Sequence, residues 1–132
     1  MTLVDTNVIL DVVTDDPNWG AWSQWQLGIA AIKGPLAIIN VVYAELSVGF
    51  TTIERVDAVI GDSGLVVVTM SRAALFLAGK AFQRYRAAGG KRTGVLPDFC
   101  IGAHAAVAKV PLLTRDARRY RTYFPTVDLV TP

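Results

Sequence analysis

Met1-Thr2-Leu3-Val4-Asp5-Thr6-Asn7-Val8-Ile9-Leu10 is an apolar run that ends in an acid, an alcohol and an amide and then turns apolar again. Residues 1–4 read as a short buried strand whose end delivers Asp5 and Asn7, and Thr6 or Asn7 is placed to cap a helix over 8–13. The rest of the chain repeats this grammar. Asp16-Pro17 reads as an N-cap with Pro at the first helical position, opening a helix to about Lys33 that Gly34-Pro35 stops. Residues 36–39 suit a second buried strand, 40–50 return to helical spacing around Glu45, and 52–60 predict another helix. The β-branched run 65–69 is the clearest strand; Ser71 caps a long helix to about Ala88, with Gly89-Gly90 as its stop. Pro97-Asp98 opens a helix to Ala108, 112–114 form a strand that hands over Asp116, 118–123 a short helix and 127–130 a closing strand. Alternation of this kind predicts one α/β domain over 1–132, with a mostly parallel central sheet flanked by helices and ligands bound beyond the carboxyl ends of the strands.

At 132 residues the chain suits a single core. Its 52% hydrophobic content and mean hydropathy of +0.40 predict strands covered on both faces and apolar surface left for a partner. The richest apolar stretch, 28–50, is broken by Lys33, Gly34, Pro35, Asn40, Glu45 and Gly49, so membrane insertion is not expected. The N-terminus lacks a basic segment and a long apolar one before Asp5, which predicts a cytoplasmic protein. Cys100 is the single cysteine, so there is neither an internal disulfide nor a thiolate zinc cluster.

Four acids carry the candidate chemistry. Asp5 leaves a strand, Asp98 heads an Ala-rich helix whose inward face is small (Gly102, Ala105), Asp116 follows the 112–114 strand, and Glu45 lies in an apolar helix. Each alone has an ordinary explanation: a cap for Asp98 or Asp116, an exposed helix position for Glu45. Together they predict a carboxylate pocket. Clustered carboxylates repel one another, and a bound divalent cation relieves that; hard cations such as Mg²⁺ or Mn²⁺ take oxygen ligands and activate water for attack on a phosphodiester.

These residues also carry a resemblance. Val4-Asp5-Thr6-Asn7-Val8-Ile9-Leu10, Ala44-Glu45-Leu46 with Gly49, Leu96-Pro97-Asp98-Phe99 with Ile101 and Ala103-His104-Ala105, and Leu112-Leu113-Thr114-Arg115-Asp116 followed by Tyr120 and Tyr123-Phe124-Pro125 resemble a PIN domain of the VapC toxin type, over essentially the whole chain. The resemblance implies a three-layer α/β/α fold and a metal-dependent endoribonuclease toxin acting on RNA, transfer RNA often among the targets. It implies Mg²⁺ or Mn²⁺ ligation by Asp5 and Asp98, an acidic pocket completed by Glu45 and Asp116 (with Asp116 among the metal-binding groups), and supporting hydrogen bonds from Asn7 and Thr114. A VapB-like antitoxin partner and a homodimer belong to the same expectation. Two alternatives stand beside it: a catalytically weak PIN-like binding module within an antitoxin and DNA-binding complex, and a phosphotransferase using Asp5 as nucleophile, although Asn7 stands where such an enzyme carries a second Asp.

Charge is lopsided. Between Arg72 and Arg121, eleven Lys or Arg face only Asp98 and Asp116, a local charge of +9 against −7 elsewhere. A polyanionic partner is one explanation and solvated helix faces the other. Arg84, Arg86, Lys91 and Arg92 around Gly89-Gly90, with Tyr85 between two arginines, suit phosphate contact and base stacking or, equally, a mobile solvated turn; Arg115, Arg118, Arg119 and Arg121 near Asp116 suit substrate contact, with solvation of the short helix as the alternative for 118–121. Trp19, Trp22 and Trp25, with Ile29, share a broad helical face that suits core packing or an antitoxin groove. His104 lies about 240° around its helix from Asp98 and reads as structural or interfacial; Cys100 reads as a small buried residue. Asp15 and Asp16 belong to a turn and cap, and Asp11 has no assigned role.

Overall fold

The computed structural model describes residues 1–92 and 94–132. Five strands, β1 (Thr2–Val4), β2 (Leu36–Ile39), β3 (Leu65–Val68), β4 (Leu112–Leu113) and β5 (Leu129–Val130), form one sheet in the order β3-β2-β1-β4-β5, and every pairing is parallel. Seven helices connect and cover them among the described residues: α1 (Thr6–Val13), α2 (Gly20–Lys33), α3 (Asn40–Ser47), α4 (Ile53–Asp62), α5 (Arg72–Ala87), α6 (Leu96–Ala108) and α7 (Arg118–Tyr123). Beyond β1 the chain first moves outward through β2 and β3, then returns to add β4 on the opposite side. The reversal of strand order therefore falls between β1 and β4, and the crevice at their carboxyl ends is where such sheets bind ligands.

β1, β2 and β4 are buried along their whole lengths, as expected for apolar runs covered on two faces. The edge strand β3 departs from that expectation: Val66 and Val67 are exposed, because β3 has a neighbour on one side only. The core gathers Leu3, Val4, Ile38, Ile39, Leu46, Phe99, Ile101, Leu112, Leu113 and Tyr120, all essentially without solvent contact.

Several boundaries move for identifiable reasons. Neither Thr6 nor Asn7 caps α1; Asp5 occupies the N-cap position and its carboxylate points elsewhere. The helix expected from Asp16-Pro17 begins at Gly20, because the Asp16 carboxylate accepts from the backbone N–H of Asn18 and Trp19 and holds 16–19 as a turn. Ser71 and Thr52 cap α5 and α4 through their hydroxyls. After α5, Gly89 takes φ +92°, a conformation that favours glycine, and a Cβ on Gly90 would stand 2.5 Å from the Tyr85 ring. On α6 a Cβ at Gly102 would stand 2.3 Å from the Phe124 ring, so this glycine permits the close seating of the helix that carries Asp98.

Candidate active site

Parallel pairing of β1 with β4 sets the floor of the site: the Asp5 N–H donates to the Leu113 carbonyl at 2.9 Å, bringing residue 5 alongside 114. Asp5 is buried, and its Oδ2 accepts from the Thr114 hydroxyl at 2.8 Å and the Tyr120 hydroxyl at 2.9 Å. Asn7 Nδ2 lies 3.4 Å from both Asp5 Oδ2 and Thr114 Oγ1, and its Oδ1 accepts from the Arg115 N–H. Asn7 and Thr114 thus both reach the Asp5 carboxylate. Thr114 Oγ1 also accepts from the Asp116 N–H at 3.1 Å, shaping the turn after β4.

Glu45, half-buried on α3, accepts from Thr6 Oγ1 at 2.7 Å. Asp98 sits in the first turn of α6 beside Pro97, and its Oδ2 accepts from Arg119 Nη1 at 2.5 Å. Asp116 is exposed at the rim. Burial, opposed by the Thr114 and Tyr120 hydrogen bonds and reinforced by the Asp98 charge, raises the Asp5 pKa to about 6. Burial also raises Asp98, with Arg119 pulling it down and Asp116 pushing it up; Glu45 is raised by burial, opposed by Thr6 and assisted by Asp98. Asp98 thus raises Asp5 and Glu45 and is itself raised by Asp116.

Among the described residues no three acids, histidines or cysteines converge closely enough to hold an ion between them as they stand. Three of the four acids are instead engaged by donors of the protein: Thr114 and Tyr120 on Asp5, Thr6 on Glu45, Arg119 on Asp98. The donor set still fits a hard divalent cation, since it is made of carboxylate and hydroxyl oxygens under mutual repulsion, and Mg²⁺ commonly uses one or two carboxylates and fills its other positions with water.

The hydrogen bonds of Tyr120 and Thr6 to the acids have no local signal in the sequence, which offers Thr6 only as a helix cap; Tyr120 lies 115 residues from the acid it serves. Burial and the Asp5 and Asp98 charges hold its phenol protonated well above the ordinary range. Arg119 was grouped with the substrate-contacting arginines, yet here it pairs with Asp98.

The basic residues divide. Arg92 and Arg118 line a cleft of about 370 Å³ beside the acids, together with Tyr85, Asp116, Arg119 and Tyr123. Arg84, Arg86 and Lys91 are exposed but outside that lining. Arg115 does not reach the cleft: its Nε donates to buried Asp11 at 2.8 Å, Ser23 donates to the same carboxylate oxygen, and its guanidinium lies 5.8 Å from the Trp19 ring centroid. Asp11 thereby gains a role, pinning α1 to α2 and to the turn after β4. Tyr85 is tied into an aromatic cluster with Phe82, Phe99 and Tyr123 and also lines the cleft.

The three tryptophans do not share one environment. Trp19 precedes α2 and sits under Arg115, Trp22 packs against the core, and Trp25 is 69% exposed beside Ile29 and the still more exposed Ile32 in a shallow apolar groove. Cys100 is a free thiol pushed up in pKa by burial and by Glu45, which agrees with a packing role, and burial lowers the His104 pKa. No helix of the described residues is long and apolar enough to cross a membrane.

A parallel sheet with acids near the β1/β4 crevice places this chain among α/β domains with a ligand site at the strand ends, and comparison with known proteins gives the family. The PIN domain model matches residues 2–125, and the chain belongs to that family of nucleases. Its fold is similar to a chain in the structure of VapBC2 from Rickettsia felis bound to a DNA fragment from their promoter (TM-score 0.75, 20% identity, 99% of this chain and 98% of that one). It is similar also to DNA-bound VapBC from Salmonella typhimurium (0.69, 19%, 98% and 96%) and to VapBC-1 from nontypeable Haemophilus influenzae (0.71, 16%, 98% and 96%). No curated protein matches the chain in sequence.

Proposed function

We propose that this protein is a metal-dependent endoribonuclease toxin, kept in check by a VapB-like antitoxin. The observation that supports this most is the buried Asp5, raised to about 6 in pKa and electrostatically linked to Asp98 at the mouth of the β1/β4 crevice. Asp5, Asp98 and Asp116 are the residues that would hold Mg²⁺ or Mn²⁺, with Glu45 completing the negative pocket. A bound ion there would lower the pKa of a water and neutralise charge on the phosphodiester. The chain's own part is to keep Asp5 oriented through Thr114, Tyr120 and Asn7, and to offer Arg92 and Arg118 to the phosphates flanking the scissile one. Arg84, Arg86 and Lys91 extend the positive surface toward longer RNA, while Arg115 contributes by bracing Asp11.

The neighbours solved as VapBC complexes support an antitoxin partner, and the exposed Trp25, Ile29 and Ile32 groove offers an apolar surface of the kind a partner helix covers. A homodimer and a cytoplasmic site of action complete the proposal. A phosphotransferase is disfavoured by the burial of Asp5, whose Oδ2 already accepts two hydroxyls. The test is cleavage of RNA by the purified chain with Mn²⁺, Mg²⁺ or chelator, using Asp98→Asn as the control. Metal-dependent cleavage that Asp98→Asn leaves unchanged would overturn the site, and RNA binding without cleavage or metal binding would favour the binding-module alternative.

A further inference from the structure

The pairing of Arg119 with Asp98 places a cation of the protein on a carboxylate that the proposed reaction needs for a metal. Arg119 is largely buried (20% side-chain exposure), reaches Asp98 from α7 across to α6, and lies with its guanidinium carbon 5.6 Å from the Tyr85 ring centroid. The same side chain lines the cleft whose other cations are Arg92 and Arg118. It therefore stands between two anionic demands: Asp98 behind it, whose charge also acts on Asp5 and Glu45, and any phosphate entering the cleft in front, where Asp116 stands at the rim.

We infer that Arg119 is an internal counter-ion that alternates between Asp98 in the metal-free protein and a substrate phosphate when a divalent cation takes Asp98, so that metal and RNA each strengthen binding of the other. The inference rests on the nuclease proposal. A divalent cation and a guanidinium on one carboxylate repel each other, so the arrival of the cation weakens the hold of Asp98 on Arg119 and favours its release. The released guanidinium has a short path: it already lies against the Tyr85 ring and lines the same cleft as Arg92 and Arg118, where an entering phosphate would replace its lost partner. Because coupling between two ligands is reciprocal, the displacement that weakens metal binding alone must make metal and phosphate bind cooperatively. Arg119 is thus a positioning residue whose effect is read in binding rather than in turnover alone.

The experiment titrates Mn²⁺ into the intact protein by calorimetry, and separately titrates uridine 5′-monophosphate, a phosphate probe with no internal diester to cut, with and without saturating Mn²⁺. Arg119→Gln is expected to bind Mn²⁺ about three- to tenfold more tightly than the wild type, the range that loss of a partly buried ion pair allows. It is also expected to lose most of the increase in nucleotide affinity that Mn²⁺ produces in the wild type. Arg92→Gln removes the same charge from the cleft without touching the ion pair, and should retain the cooperativity. Arg119→Lys keeps the charge but not the planar fork, and should shift both readouts in the direction of Arg119→Gln by a smaller amount even if the glutamine variant is poorly folded. Equal Mn²⁺ affinity and equal cooperativity in the wild type and both Arg119 variants would overturn the inference while leaving the metal site intact. No Mn²⁺ binding by any of the proteins would overturn the nuclease proposal and the counter-ion with it.

Discussion

Tyr120 shows how a buried residue far along the chain sets the chemistry of the first acid. Its hydroxyl is one of two that stabilise the ionised form of Asp5, so Tyr120→Phe should raise the Asp5 pKa further and move the pH midpoint for metal binding upward. Stability should fall by about 0.5–1.5 kcal/mol, the usual net worth of one hydrogen bond; thermal melts and Mn²⁺ titrations at several pH values read both effects. Asp98→Asn removes a ligand candidate from a partly exposed position, and should lower RNA cleavage at least roughly a hundredfold while the far-UV circular dichroism is preserved. These residues differ in how visible they are beforehand. Asp5 and Asp98 stand beside a strand end and a proline that mark them, whereas the partners of Tyr120 and Thr6 are created only by tertiary contact.

Among the elements, α6 has a closely fitted seat. It packs against α5, α3 and α7, and Gly102 faces the Phe124 ring with no space for a methyl group. Gly102→Ala should therefore cost about 1–3 kcal/mol despite the better helix propensity of alanine, since overpacking outweighs a gain of at most about 1 kcal/mol. The urea midpoint measures this, and because α6 carries Asp98, metal affinity should drop in the same variant. Alternating apolar runs were enough to forecast most elements. The start of α2 was not, because the Asp16 side chain competes for backbone donors that a helix would use, and the Trp19-Trp22-Trp25 spacing suggested one face where the chain in fact distributes the rings over a turn, the core and the surface.

Across the whole molecule, charge couples stability to pH. Asp5 titrates near 3.8 when unfolded and near about 6 when folded, so the native state holds a proton that the unfolded chain has released. Stability of the metal-free protein should accordingly fall as pH rises from about 4 through about 6, with Glu45 and Asp98 acting in the same direction. A divalent cation should reverse the trend, raising the melting temperature more at pH 7 than at pH 5; differential scanning fluorimetry with and without Mn²⁺ tests it. RNA affinity should decline steeply with salt, and Arg92→Gln or Arg118→Gln should each flatten the log–log slope by about 0.7, the value for a single-strand phosphate contact.

By itself the amino-acid sequence determined the succession of strands and helices and the identity of the acids, because both are written within a few neighbouring residues: apolar periodicity, a capping Ser71, a glycine stop, a carboxylate after a strand. Tertiary structure alone decided which of these meet. The return of β4 to the free side of β1 puts Thr114 and Tyr120 on Asp5 across more than a hundred residues, Arg119 on Asp98, and Arg115 on Asp11 instead of in the cleft. Charges of opposite sign in one chain admit many pairings, and only the burial and spacing imposed by the folded sheet and helices select among them.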